Sequence, residues 1–317
     1  MAVFSGKWSV FLQRLQLLVA LARAPFLLLA LPSIGLAIAW CQTQAAAPVS
    51  FTDSLLVLLA AVAAQVSVNA FNEYEDFCSG LDQQTRRTAF SGGSGALPAQ
   101  PHLLPWALWL GCLSLLVVAL IGMYFLLQRP EAFWGLLLIG GLGSALILLY
   151  TPLLTRYPWL CLVAPGLSFG PLMVAGGVLA LGGAVSLPLM LLALVPFFLS
   201  NNLLLLNQFP DIEADRLVGR RTLPMLLSQQ QALALLLVQW LAPLLLTSLL
   251  VIWGILPGTC LLVWLASPLI VYLWFGCRRA ALQMPALLPW LACNVLLALL
   301  LPVLLLVGWL AEADWLR

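Results

Sequence analysis

The chain has 317 residues, 63% of them hydrophobic and 8% charged, with a mean hydropathy of +1.09. A soluble domain carries about a quarter charged residues, so this composition excludes a soluble globular protein and describes a polytopic membrane protein. The net charge of +2 says less than the way the charges are distributed. Seven cysteines form no C-x-x-C pair and mostly sit inside apolar runs, so they read as small core residues, with neither a disulfide frame nor a zinc site.

In chain order, residues 1–16 lack the continuous apolar core of a signal peptide and read as an amphipathic lead-in. Nine apolar segments follow, each near the ~20 residues that cross a bilayer. They are 24–41, 52–72, 103–127, 131–150, 159–181, 187–206, 229–253, 257–276 and 286–310. Gly and Pro mark the two weakest breaks, GGAVSLP and WGILPG. No repeat, linker or soluble domain interrupts them, so residues 1–317 are expected to form a single all-α membrane domain.

With nine spans and the N-terminus inside, eleven basic residues fall on the cytoplasmic side and only Arg129 and Arg317 on the other. That is a strong positive-inside bias. The same count places two polar islands together on the cytoplasmic side. The first is Val68–Gly95 (VNAFNEYEDFCSGLDQQTRRTAFSGGSG) and the second is Asn207–Thr222 (NQFPDIEADRLVGRRT). Between them they hold seven of the chain's eleven acids. Ionisable groups at membrane depth are costly and mark function by default.

Asn69, Asn72 and Asp76 are spaced i, i+3, i+7 and share one helix face. Asp82 returns to that focus if the chain turns at Ser79–Gly80. Asp211 and Asp215 are again i, i+4, with Asn207 one turn earlier and Pro210 loosening that turn. Carboxylate and amide oxygens are hard ligands that suit Mg²⁺, and substrate phosphate commonly completes its shell. Arginines follow in each island, and their forks suit phosphate oxygens. The two islands therefore read as halves of one metal–diphosphate site, where solvated loops alone would explain the arginines but not the acids.

These residues resemble the UbiA superfamily of intramembrane aromatic prenyltransferases. NEYEDFCSGLD (72–82) is similar to that family's N-D-x-x-D-x-x-x-x-x-D form, followed by RRT and SGGSG; YTPLLTRYPWL…SFGPLMVAGG, DIEADRLVGRRTL and ARAPF resemble further family elements. The six-residue Asp76–Asp82 spacing is similar to the 1,4-dihydroxy-2-naphthoate branch. Glu73 stands where Asp is usual, a change expected to be neutral, and Gln208–Pro210 departs from the common form.

The resemblance implies nine helices around a central cavity and Mg²⁺-dependent transfer of a polyprenyl group to an aromatic acceptor. Catalytic roles fall on Asp76, Asp82, Asp211 and Asp215, with metal ligation shared by Asn72 and Asn207. Diphosphate contacts fall on Arg23, Arg87, Arg156 and Arg221, with Arg86 and Arg220 as near-equals. Tyr150 is placed between an acceptor-pocket role and that of an interfacial anchor. The expected partners are a polyprenyl diphosphate, an arene and the lipid bilayer, with no nucleic acid, in a bacterial inner membrane with the site loops cytoplasmic. Two alternatives stay open: another acceptor (4-hydroxybenzoate, homogentisate or a tetrapyrrole), or a cation-coupled transporter. A transporter favours ionisable groups near mid-span, whereas these acids sit at one face beside arginines.

Overall fold

The computed structural model describes residues 17–44, 48–85, 87–88 and 92–312. Long apolar runs leave no backbone partner except the helix itself in a bilayer, and the described residues are helical with no strand. Eight helices among them are long and apolar enough to cross a membrane. In chain order, with one shorter helix ahead of them, they are α1 (Ala30–Gln44), α2 (Phe51–Cys78), α3 (Pro101–Gln128), α4 (Pro130–Leu149), α5 (Pro158–Ala180), α6 (Leu187–Asn207), α7 (Gln229–Ile252), α8 (Gly258–Arg279) and α9 (Leu288–Ala311). Local chemistry starts them. Ser50 and Ser186 accept the third N–H of α2 and α6 on their hydroxyls, and Ser228 forms a full capping box with Gln231 at the head of α7. Proline stands in the first turn of α3, α4, α5, α6 and α9, where its missing N–H costs nothing.

The first expected span departs from a continuous helix. α1 has 15 residues, about 22 Å at 1.5 Å per residue, and a separate turn, Ala24–Leu27, precedes it. The break lies at Arg23, held in the left-handed region at φ 49°. It persists because α2 satisfies it. Asn69 Nδ2 donates to the freed Ala22 carbonyl at 2.9 Å, and Arg23 Nε donates to Glu73 Oε1 at 2.6 Å. One helical turn of α2 thus grips the broken segment.

Successive helices pack side by side, and α9 returns against α1, so the nine segments close a ring. α1 also reaches α5, and α6 reaches α9, across the interior. α6 is the most enclosed, while α4 has no buried residue. Large apolar side chains face outward, among them Trp109, Leu120, Leu127, Trp134 and Leu138. On a soluble protein such a surface aggregates; in lipid it is the ordinary exterior. Asp53, an acid outside the islands, pairs with Arg129 Nη2 at 3.1 Å, while Arg129 Nε caps the Ala180 carbonyl at 3.1 Å. This ties α2 and α5 to the α3–α4 junction, at the end of α2 away from its island.

Candidate active site

The helix turns that follow α2 and α6 bring the two islands together. α2 ends at Ser79, and Gly80 at φ 77° reverses the chain into a short helix, Leu81–Gln84. Only glycine takes that conformation without strain. The second island forms a short helix, Ile212–Leu217, that Gly219 terminates at φ 78°. The reversal lets Arg220 N–H donate back to the Asp215 carbonyl at 3.0 Å. The two short helices pack against each other.

They border a polar cavity of about 230 Å³, lined by Asn72, Asp76, Asp82, Asn207, Asp211 and Asp215 from the islands, with Arg23, Arg220 and Tyr150. Asp76 lies between two guanidiniums. Arg220 Nη2 contacts its Oδ1, Arg23 Nη2 lies 3.9 Å from its Oδ2, and Arg220 Nη1 reaches on to Asp215 Oδ1 at 3.5 Å. Arg220 therefore cross-links the islands. Asn72 Oδ1 accepts from Thr151 Oγ1 at 3.1 Å.

Other oxygens have no partner. Asp82 Oδ2, Asn207 Oδ1 and Asp211 Oδ1 are buried and unpaired. Burial first, then the neighbouring carboxylates, raises the Asp82 and Asp211 carboxyls to about 7; burial raises Asp215 to about 6 despite Arg220. Hard oxygens aimed into a cavity at the negative ends of α2 and α6 fit a hard divalent cation. Among the described residues no three carboxylate, histidine or thiol groups converge closely enough to hold an ion alone. An ion here has to complete its shell with amide oxygens, water and phosphate, as Mg²⁺ does.

The structure does not bring every expected arginine to the cavity. Arg156 and Arg221 are exposed and lie off its wall; Arg221 donates its backbone N–H to the Thr155 carbonyl, at 3.0 Å. Arg87 is exposed and lays its guanidinium over Gly95. Arg86 lies outside the described residues, as do Lys7, Arg14 and Arg317. The polarity of the Gly219 turn decides which member of the Arg220–Arg221 pair faces inward.

Glu73 is the residue that sequence reasoning passed over. Its side chain is fully buried and makes three contacts: Arg23 Nε at 2.6 Å, Ser94 N–H at 2.8 Å and Ser94 Oγ at 2.6 Å. Gly93, at φ 72°, passes so close that a Cβ there would sit 3.0 Å from Asp82 Oδ1 and 3.3 Å from Glu73 Oε1. Glu73 thus pins residues 93–94 and Arg23 beside Asp82. Its place next to Asn72 was the available signal.

A second, apolar cavity of about 520 Å³ runs between α2, α3, α4 and α5. It shares Gln65, Asn69, Asn72, Tyr150, Pro165 and Phe169 with the polar one. At Gly122, Gly140, Gly141 and Gly143 an added Cβ would meet only open space.

The raised carboxyls predict a pH dependence with a definite sign. The metal-free fold keeps their protons to a higher pH than the unfolded chain does, so its stability falls as pH rises from the ordinary carboxylate value of about 4 towards 7. A divalent ion needs them deprotonated. Mg²⁺ affinity is therefore expected to fall as pH drops from about 8 to about 6, with protons released on binding. Calorimetry in two buffers of different ionisation enthalpy checks this; affinity flat across that range contradicts it.

Comparison with known proteins places the chain among relatives of the same fold. The model of the UbiA prenyltransferase family matches residues 30–285. A 1,4-dihydroxy-2-naphthoate octaprenyltransferase of Bacillus subtilis is 31% identical over 185 residues, which span 57% of this chain and 57% of that protein. Among solved structures, the apo form of a UbiA homolog from Aeropyrum pernix K1 superposes with a TM-score of 0.68 at 20% identity, over 91% of this chain and 98% of that one. A UbiA homolog from Archaeoglobus fulgidus bound to GPP and Mg²⁺ gives 0.59 at 16% identity, over 91% and 99%. These likenesses support the helical fold.

Proposed function

Because the chain belongs to the UbiA prenyltransferase family, we propose that it transfers a polyprenyl group from its diphosphate to an aromatic acceptor, 1,4-dihydroxy-2-naphthoate. The observation that carries this reading is one site made of both acidic islands, sharing wall residues with an apolar cavity. Asn72, Asp76, Asp82, Asn207, Asp211 and Asp215 would hold Mg²⁺. When bound, it supplies Lewis-acid stabilisation of the leaving diphosphate. The chain's own groups do the rest. Arg23 and Arg220 add fixed positive charge where diphosphate charge develops. The surrounding helices exclude water, so the allylic cation formed as the C–O bond breaks meets the ring. A C–C bond then forms at the carbon bearing the carboxylate, and carbon dioxide leaves as the ring rearomatises. Tyr150, at the junction of the two cavities, lines the space for the arene.

The naphthoate assignment rests on the loop resemblance and on the Bacillus subtilis relative. Its test is purified protein with Mg²⁺, a long prenyl diphosphate and a panel of arenes, read by mass. The expected product is the prenylated naphthol lacking the carboxylate. Prenylation of 4-hydroxybenzoate or homogentisate, and not of the naphthoate, overturns the acceptor and leaves the reaction class standing.

The apolar cavity takes the prenyl tail in this account. Gly140→Leu and Gly143→Leu introduce side chains into open space, so they fold normally and obstruct the tail. Lipid is as apolar as the cavity, so the effect is steric. Transfer from a long donor is expected to fall about tenfold in kcat/KM, with a ten-carbon donor retained. Equal loss for both lengths places the tail elsewhere.

The chain is an integral multi-pass membrane protein, and we place both islands on the cytoplasmic face of a bacterial inner membrane by the distribution of basic residues. Cys78 is exposed at the end of α2, two residues before the Gly80 turn. A membrane-impermeant maleimide is expected to label it only from the cytoplasmic side; labelling from outside reverses the orientation.

A further inference from the structure

Five unpartnered buried polar atoms belong to residues that line the polar cavity. Three of them, on Asp82, Asn207 and Asp211, are explained by a divalent ion, and the Thr222 hydroxyl can donate to a phosphate oxygen. Gln208 Oε1 remains. Gln208 is 6% exposed, and its Nε2 donates to Cys161 Sγ at 3.3 Å, with Tyr150 Oη 3.7 Å from the same sulfur. Tyr150, Cys161 and Gln208 thus form a row along the cavity wall, with one amide oxygen left over.

An amide oxygen only accepts. Left unpaired and buried it is costly, so a water or a bound group has to bring it a donor. Among the substrates, neither the diphosphate oxygens nor the prenyl chain carries one; a hydroxyl on the acceptor ring does. The row also lies where the ring has to be. Tyr150 belongs to both cavities, so it marks the place where the diphosphate end of the donor meets its tail, and the reacting carbon lies between these. Phe169 is the other aromatic side chain shared by the two cavities. It sits in a π turn, Ser168–Leu172, inserted into α5 around Pro171.

We propose that Gln208 Oε1 is the acceptor's hydroxyl subsite, taking the hydrogen bond of one ring hydroxyl and seating the ring by Tyr150 and Phe169. This rests on the prenyl-transfer reading and adds a specificity determinant to it. As the ring attacks the cation its hydroxyl becomes more acidic, so the bond strengthens in the transition state and acts on the chemical step as well as on binding. Because Gln208 stands where the hydroxyl hydrogen must point, it discriminates against a ring in which that hydrogen is replaced by methyl.

The test compares 1,4-dihydroxy-2-naphthoate with its two mono-methyl ethers in wild type, Gln208→Met and Gln208→Glu. Methionine keeps the length and removes the acceptor; glutamate keeps an acceptor and loses the donor to Cys161. Wild type is expected to prefer the diol over one of the ethers, and Gln208→Met to reduce that preference about tenfold, with KM for the prenyl diphosphate and affinity for Mg²⁺ unchanged. Gln208→Glu is expected to keep the preference. A preference unchanged in Gln208→Met overturns the proposal. So does weakened Mg²⁺ binding in that variant, which would put Oε1 in the metal shell. If Gln208→Met fails to fold, a preference lost in Gln208→Glu overturns it equally. A wild type that prenylates neither the diol nor any other ring removes the underlying reading and this subsite with it.

Discussion

Asp211→Asn is expected to lower prenyl transfer on the order of 10³-fold while raising the thermal stability of the metal-free protein. The two effects have one cause. Asp211 Oδ1 is buried without a partner, and burial raises its carboxyl to about 7. In the metal-free protein at neutral pH that group opposes folding, and a neutral amide relieves it. In the proposed site the same oxygen would be a metal ligand, and an amide cannot supply its charge. Asp82→Asn is expected to behave alike, since Oδ2 is unpaired and its carboxyl is raised to about 7 as well. Asp76→Asn is expected to differ. Its carboxylate faces both Arg23 and Arg220, so removing its charge costs stability as well as activity. Asp215→Asn also loses turnover and removes an Arg220 contact. Turnover at saturating Mg²⁺ and melting in chelator check all four. Retained activity in any one removes that residue from the site, and a lowered melting temperature for Asp211→Asn contradicts the physical account of why it is there.

The second large effect belongs to Glu73, a residue outside the cavity wall. Glu73→Ala leaves Arg23 without its 2.6 Å partner and frees Ser94 from both of its contacts. Breaking a buried ion pair costs about 3–5 kcal/mol. Arg23 is held in a left-handed backbone conformation that its surroundings must stabilise. The expected result is a lower melting temperature, faster amide exchange at residues 92–97 and roughly 10²-fold slower transfer through misplacement of Arg23 and the loop. Glu73→Asp, one methylene short, is expected to recover only part of each. Wild-type melting and turnover in Glu73→Ala would show the contacts to be incidental.

These two residues also show how far the sequence could be read. Hydropathy gave most of the helix ends to within a few residues because, in lipid, an apolar run of sufficient length has little choice but to be a helix. The acidic pairs were legible because i, i+4 spacing sets a face, and because Gly80 offered the turn that Asp82 needed. What stayed hidden depended on residues distant in the chain. The break at Arg23 exists because Asn69 and Glu73, about fifty positions later, hold it open. Nothing local separates Arg220 from Arg221; the left-handed turn at Gly219 and the acids it faces do so. Arg156 and Arg87 look equally suited to phosphate in the sequence, yet both are exposed and neither lines the cavity. Glu73 read as a neutral replacement for aspartate because its task, reaching Ser94 across a loop, is set by distance and not by charge.

In the proposed mechanism the two islands form one divalent-dependent diphosphate site. Equilibrium binding of a non-reactive prenyl thiolodiphosphate tests it most directly, in wild type, Asp82→Asn, Asp211→Asn and the double variant, with Mg²⁺ titrated. Wild type is expected to bind only with Mg²⁺, each single variant to lose about tenfold or more, and the double to lose little further, because residues acting in one site do not add. Tight binding without a divalent ion, or two losses that simply add, would contradict it.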